Sequence, residues 1–227
     1  MHAKPSSVAP SHAAHLAVAH WDETPLFLPE EARYERYPWL YDAAEFAEHR
    51  GERVLEVGCG TGSDLLQFAK NGSDAWGIDI TPAHIRLAQE RVGRLGRVCF
   101  GDASRIPFED GSFDFVYSMG VLHHIDRVEE VVKEILRVLR PGGTFKVFVY
   151  NRWSHVPLLL FLRHGWRWKL WIENSRAPVH IDFYTKRKLR RLFSPIRLHI
   201  QRYECIYVPA LAPFIGWFLA ARGSKPR

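Results

Sequence analysis

Glu56-Val-Gly-Cys-Gly-Thr-Gly62 follows the apolar pair Val54-Leu55, so an acidic residue and three alternating glycines close what reads as a first β-strand. The chain must turn there from strand to helix while its backbone passes close to a ligand. A Cβ at Gly58, Gly60 or Gly62 would collide, and a nucleotide-like cofactor is implied. The spacing also selects among cofactors. A dinucleotide fingerprint needs G-x-G-x-x-G or G-x-G-x-x-A, and Ser63 occupies its last position here. Taken alone, the loop suits an ordinary strand-to-helix turn equally well.

The downstream chain narrows the choice. Gly72 ends a helix begun near Thr61, and Ala75-Trp76-Gly77-Ile78 is a second short apolar run that ends in Asp79, 23 residues beyond Glu56. A carboxylate at the carboxyl end of a second parallel strand can accept hydrogen bonds from both hydroxyls of a ribose. The competing reading makes Asp79 the N-cap of a helix starting near Pro82, a place that Thr81 can also fill. Residues 97–100 read as a third strand followed by Gly101-Asp102-Ala103, and 113–118 as a fourth. Residues 128–139 form an amphipathic helix, Pro141-Gly142-Gly143 its stop, and 144–150 a fifth strand. Strands and helices alternate throughout, which predicts right-handed crossovers, a parallel sheet covered on both faces, and a ligand at the carboxyl ends of the strands.

Four signatures stand in order: E-x-G-x-G-x-G at 56–62, the acidic positions Asp79 and Asp102, the string Tyr117-Ser-Met-Gly-Val-Leu-His-His124, and Arg137-Val-Leu-Arg-Pro-Gly-Gly143. Together they resemble the class I S-adenosylmethionine-dependent methyltransferases over residues 53–151. A finer resemblance, to a bacterial small-molecule methyltransferase subgroup, rests on Thr81-Pro82, on Val149-Tyr150-Asn151-Arg152-Trp153-Ser154, and on His180 with Tyr184-Thr185. Asp64, two residues after Gly62, and an aromatic segment before the glycine loop agree with it. The resemblance implies an α/β fold: a Rossmann-like, doubly wound, seven-stranded sheet, mostly parallel, with an antiparallel last strand near 214–221 preceded by a strand at 198–203.

The same resemblance implies S-adenosylmethionine as cofactor and a binding set of Glu56, Gly58, Cys59, Gly60, Gly62, Asp79, Ile80, Asp102, Ala103, Ser118 and Met119. Asp79 would hold the ribose. Asp102 would lie by the adenine amino group, an acceptor matched to a donor. The implied reaction is direct in-line transfer of the sulfonium methyl group, in which alignment of the reacting pair can supply roughly 7–11 kcal/mol. A general base matters only where the acceptor is an alcohol, phenol or carbon acid. His123 and His124 are the candidates, since histidine titrates nearest neutrality; the competing roles are cofactor contact for one and structural packing for the other. Tyr37, Trp39, Tyr150 and His180 suit either the wall of an acceptor pocket or, for the aromatics, the core.

A chain of 227 residues with 47% hydrophobic content can bury one sizeable core with appended segments. The expected division is a disordered tail (1–20), a helical cap (21–50) split into two short helices by Pro38, a cofactor-binding core (51–150), a basic and aromatic lid (151–196), and final strands completing the sheet (197–227). The tail fails as a signal sequence, and its histidines, His2, His12, His15 and His20, read as a mobile polar stretch rather than a metal site; no metal is expected. Cys59, Cys99 and Cys205 are odd in number and lack any paired spacing, which fits a reducing cytoplasm. Cys59 reads as a small filler in the loop, with no activating base in the sequence.

The +6 charge of the chain is unevenly placed. Residues 151–202 carry twelve Lys/Arg against two Asp/Glu, a net +10 that leaves −4 for the remainder, and they interleave these cations with Trp153, Trp166, Trp168 and Trp171. Such a surface suits anionic lipid, with peripheral membrane contact through 151–172, or a phosphorylated acceptor or nucleic acid; equally, it suits a solvated basic helix with its apolar stripe turned inward. The dense run Lys186, Arg187, Lys188, Arg190 and Arg191 has Leu189, Leu192 and Phe193 as such a stripe. No nucleic-acid module accompanies it. Residues 205–221 are uncharged, but Pro209, Pro213 and Gly216 interrupt them, favouring loops and strands over a membrane span. The function expected is methyl transfer to a small-molecule or lipid-like acceptor, anionic or aromatic. The alternatives are methylation of nucleic acid or protein, polyamine synthesis on a related fold, and a cofactor-binding scaffold without transfer activity.

Overall fold

The computed structural model describes residues 30–165, 180–205 and 208–227. Its seven strands are β1 (Arg53–Val57), β2 (Asp74–Asp79), β3 (Arg97–Phe100), β4 (Phe113–Met119), β5 (Leu139–Tyr150), β6 (His199–Tyr203) and β7 (Phe218–Ser224). They form one sheet in the order β3-β2-β1-β4-β5-β7-β6. The first five pair in parallel, and β7 runs antiparallel to both β5 and β6. Strand order reverses between β1 and β4, which is where an open α/β sheet leaves a crevice at its carboxyl edge.

The helices are α1 (Glu30–Arg36), α2 (Leu40–Ala44), α3 (Ser63–Lys70), α4 (Pro82–Val92), α5 (Val128–Val138), α6 (His155–His164), α7 (Lys186–Leu192) and the short α8 (Ala212–Ile215). A central parallel strand is buried on both faces, so Val54 and Leu55 point to opposite cores. Leu55 and Val57 join the side covered by α5 and α7, where Val131, Ile135 and Leu189 are packed. Val54 joins the other side, with Leu40 of α2, Leu65 and Phe68 of α3 and Ala88 of α4. Pro38 stands between α1 and α2, consistent with its poor fit inside a helix.

Three boundaries differ from the sequence reading. β5 begins at Leu139 rather than 144, because the chain runs through Pro141-Gly142-Gly143 in an irregular stretch: Leu139 pairs with Phe113 and Thr144 with Phe115. There Gly142 N–H donates to Lys225 O and Lys225 N–H to Gly143 O, so the expected helix stop serves as the edge of the sheet. β7 begins at Phe218 rather than 214. Phe214 and Ile215 belong to α8, and pairing starts only where Phe218 meets Tyr150 and Tyr203; an unbroken apolar run contains no period to mark that change. α3 begins at Ser63, two residues later than expected. The 1–20 tail, the start of the 21–50 cap, and Trp166, Trp168 and Trp171 lie outside the described residues.

Gly62 has φ +79°, and a Cβ there would lie 3.1 Å from Ala88 Cα. It therefore sets the approach of α3 to α4, as well as a backbone conformation that L side chains rarely adopt. Gly62→Ala is expected to destabilise the chain by about 1–2 kcal/mol from backbone strain alone. Calorimetric melting should show this as a loss of about 2–4 °C per kcal/mol.

Candidate functional site

At the carboxyl edge of β1, β2, β3, β4 and β5 the chain encloses a cavity of about 400 Å³, within the range of small-ligand sites. One end is built on the first three strands. Gly58 N–H and Cys59 N–H both donate to Ile78 O, at 2.8 and 2.9 Å, which straps the glycine loop across the end of β2. Asp79 fastens it further: Oδ2 accepts from Gly60 N–H at 2.8 Å and Oδ1 from Thr81 N–H at 2.9 Å. The N-cap position of α4 is Thr81, without a side-chain bond, so Asp79 is a loop-and-cavity carboxylate rather than a helix cap. Each of its oxygens retains a lone pair for a ligand hydroxyl. Gly60 has φ +51° and open space where a Cβ would stand. Cys59 lines the cavity and packs over Gly77, whose own Cβ would meet Sγ at 2.9 Å; burial pushes its thiol pKa well up, leaving it neutral.

Glu56 lies at the floor of this end. It is buried, and its Oε2 has no hydrogen-bond partner among the described residues. Burial, and then the nearby Asp64 carboxylate, push its pKa well above the ordinary carboxylate value. Asp64 itself is buried at the start of α3 and fully engaged: Arg33 Nε and Nη2 donate to its two oxygens at 2.7 Å each, Tyr34 Oη at 2.9 Å and Tyr117 Oη at 3.1 Å. Helix α1 is thereby tied across the site, and Arg33 and Tyr37 line the cavity. Asp102, on the turn after β3, accepts from Ser104 N–H and Oγ through Oδ1, both at 2.8 Å.

The other end of the cavity is aromatic and apolar. Met119 ends β4 and Gly120 and Val121 follow it, Tyr150 ends β5, Phe218 opens β7, and Tyr37 closes from the end of α1. The short 3-10 turn Leu122–His124 sets its two histidine rings side by side, 4.2 Å between centroids, but in different surroundings. His124 lines the cavity, and its Nδ1 lies 3.0 Å from the His180 carbonyl; a carbonyl only accepts, so Nδ1 carries the hydrogen and Nε2 the lone pair. His123 is wholly buried, stacked on Tyr150 at 3.7 Å between ring centroids, with neither ring nitrogen partnered among the described residues. Burial, and then His124, hold its pKa well below the ordinary value, so it is neutral and out of reach of a substrate.

Of the residues expected to bind cofactor, Glu56, Gly58, Cys59, Gly60, Asp79, Ile80, Asp102, Ala103 and Met119 line one cavity. Gly62 and Ser118 lie behind its wall: Gly62 packs on α4, and Ser118 Oγ donates to Val57 O at 2.9 Å inside the sheet. Trp39 stacks instead on Tyr203 at 4.9 Å, and His180 contributes its backbone. The basic run at 186–191 is also elsewhere. Leu189 and Phe193 are buried in the core, Phe193 stacks on Phe145, and Arg187, Arg190 and Arg191 face outward. Among the described residues the cavity carries Arg33 and Arg127 against Glu56, Asp64, Asp79, Asp102 and Asp126; Arg167, Lys169 and Arg176 of the expected basic lid lie outside the described residues. Arg33, Tyr34 and Phe218 join the site without having been among the residues expected there. Tyr34 lay within an aromatic stretch before the loop, but an arginine on a short helix has no periodic or motif signal.

A Methyltransferase domain family matches residues 55–147. The chain is 32% identical over 124 residues to the sterol 4-C-methyltransferase strm-1 of Caenorhabditis elegans, covering 52% of this chain and 36% of that one. It is 34% identical over 132 residues to the phthiotriol/phenolphthiotriol dimycocerosates methyltransferase of Mycobacterium leprae, covering 55% and 49%. The chain thus spans about half or less of the length of these relatives. Among solved structures, phosphoethanolamine N-methyltransferase 2 of Haemonchus contortus in complex with S-adenosyl-L-methionine superposes with a TM-score of 0.65 at 17% identity, over 83% of this chain and 53% of that one, a likeness of fold. The glycine loop, the sheet order and the family match agree: residues 55–147 match a methyltransferase domain, on a fold shared with S-adenosylmethionine-dependent methyltransferases.

Proposed function

We propose that the chain transfers the methyl group of S-adenosylmethionine to a small-molecule or lipid-like acceptor. The observation that carries this reading is the two-ended cavity, with carboxylates and glycine backbone at one end and an aromatic, apolar wall at the other. When bound, the cofactor would supply an electrophilic sulfonium methyl for in-line transfer to the acceptor atom, the electron pair of the broken sulfur–carbon bond returning to sulfur. Glu56, buried with an unpartnered oxygen, suits the cationic amino-acid end. Gly58 and Gly60 let the backbone approach, Asp79 suits the ribose hydroxyls, and Asp102 with Ala103 suits the adenine. His124 is the candidate base for an acceptor that must lose a proton, its Nε2 lone pair set by the His180 carbonyl.

The acceptor end supports an apolar or aromatic group. Tyr37, Val121, Tyr150 and Phe218 form its wall, and the two relatives above are named for a sterol and for phthiotriol/phenolphthiotriol dimycocerosates. In this reading 51–150 hold the cofactor, 21–50 cap it through Arg33 and Tyr34, 151–196 contribute a lid, and 197–227 complete the sheet. The free thiols of Cys59, Cys99 and Cys205 suit the reducing cytoplasm. No helix among the described residues is long and apolar enough to cross a membrane.

Two measurements test the site. Because Glu56 has a raised pKa, it holds its proton between the ordinary carboxylate range and that raised value, and a cation bound beside it expels the proton. Titration calorimetry with S-adenosylmethionine should therefore give different heats in buffers of different ionisation enthalpy, and Glu56→Gln should abolish the difference while weakening binding about tenfold or more. Equal heats for the unaltered chain would rule out this role. Separately, Asp64→Asn should release α1: hydrogen exchange in 30–36 should rise, and the cofactor should dissociate faster. Unchanged exchange there would show that the ion pair does not hold the cap.

A further inference from the structure

Helix α6 leaves the carboxyl end of β5, and α8 leads into the start of β7, so both lie at the acceptor end of the cavity. They are joined there: His155 Nδ1 lies 3.1 Å from Ile215 O, and Asn151 Nδ2 donates to Gly216 O at 2.8 Å. The residues where these segments meet the sheet, Tyr150 and Phe218, both line the cavity, and Trp217 stacks on Tyr150 at 4.2 Å. Outward, the pair of segments presents large apolar side chains to solvent. Leu162 is 71% exposed, Phe214 70%, Trp153 67% and Leu158 59%, and Val208 and Leu211 are exposed beside them. On α6, Leu158, Leu159, Phe161 and Leu162 cover nearly half of the helix circumference, a broad exposed stripe on a helix whose opposite face, with Val156, Pro157 and Leu160, is half-buried and packs through Val156 on the core.

The charges on these two segments are of one sign. Residues 151–165 and 208–217 contain no Asp or Glu, and their charged members are Arg152 and Arg163, both exposed. Arg152 sits over the exposed Trp153 ring at 5.6 Å. An apolar centre with tryptophan at its margin, on two segments that carry arginines and no carboxylate, matches the boundary between acyl chains and anionic headgroups. A second copy docking through the same face would set arginine against arginine, which opposes association. α6 has ten residues, far short of the roughly 20 needed to cross a bilayer, so the geometry is that of a helix lying in the interface.

We propose that the α6–α8 surface docks the chain on an anionic membrane, with the acceptor end of the cavity opening toward the bilayer. This deepens the lipid-like acceptor reading and rests on it in one respect, that the acceptor comes from the lipid phase; adsorption to the membrane stands on the surface itself.

The test uses the full chain and sedimentation with vesicles of phosphatidylcholine alone or mixed with phosphatidylglycerol, beside calorimetry with S-adenosylmethionine. The chain should sediment with the mixed vesicles and much less with phosphatidylcholine alone, and added salt should release it. Leu162→Asp with Phe214→Asp should lower vesicle affinity by about tenfold or more, and Arg152→Glu with Arg163→Glu should remove the preference for anionic lipid. Both double variants should bind S-adenosylmethionine as the parent does. Absence of sedimentation with either vesicle, equal sedimentation of the parent and both variants, or a dimer in light scattering that the apolar variant dissolves would each overturn the proposal. Cofactor binding without vesicle binding rejects the membrane surface alone. Vesicle binding without cofactor binding rejects the methyltransferase reading and leaves the surface standing.

Discussion

A buried carboxylate that cannot be left alone organises this molecule. Asp64 opens α3 directly behind the glycine loop, where water cannot solvate it, and an isolated charge in such a place is costly. Its partners come from two distant parts of the chain: Arg33 and Tyr34 from α1, and Tyr117 from β4. Satisfying one side chain thus brings the N-terminal helix over the cavity and fixes the loop against the middle of the sheet. Burial, and then this same negative charge, raises the pKa of Glu56 beside it.

From that constraint the cavity acquires two unlike ends. Strand order reverses between β1 and β4, so the glycine loop and the acidic ends of β2 and β3 fall on one side of the crevice. The ends of β4 and β5 and the start of β7 fall on the other. Polar groups converge where a charged, hydroxylated ligand would bind, and rings gather where an acceptor would meet it. The adjacent histidines show how little spacing says about role. A single 3-10 turn sends His123 into the core against Tyr150 and leaves His124 at the cavity with its tautomer set by a backbone carbonyl.

Much of the fold was legible in the chain. Gly58, Gly60 and Gly62 mark a turn only glycine makes easily, short apolar runs each end in a polar residue at the cavity edge, and the α5 pattern repeats with a helical period. The strands at 97–100 and 113–119 could be read within a residue because each is bounded by glycine or aspartate. Legibility failed where the signal has no period. The apolar run at 214–221 conceals a passage from helix to strand, and Pro141-Gly142-Gly143, which follows the end of α5 as a stop should, is also taken into β5. The dense basic run at 186–191, by contrast, was legible as a solvated helix: Leu189 and Phe193 anchor it on the sheet and Arg187, Arg190 and Arg191 face solvent.

By itself the sequence determined the sheet type, the cofactor class it resembles and the acidic positions beside the loop, because these depend on local backbone sterics and on residues near one another in the chain. Only the tertiary structure decided that Gly62 and Ser118 serve packing, that Arg33 crosses 31 residues of chain to reach Asp64, and that His124 rather than His123 meets the cavity. It also placed α6 and α8 side by side as an exposed apolar surface at the cavity mouth. Those outcomes depend on which elements meet in space. Burial, partner choice and side-chain direction are properties of that meeting, and no run of neighbouring residues encodes them locally.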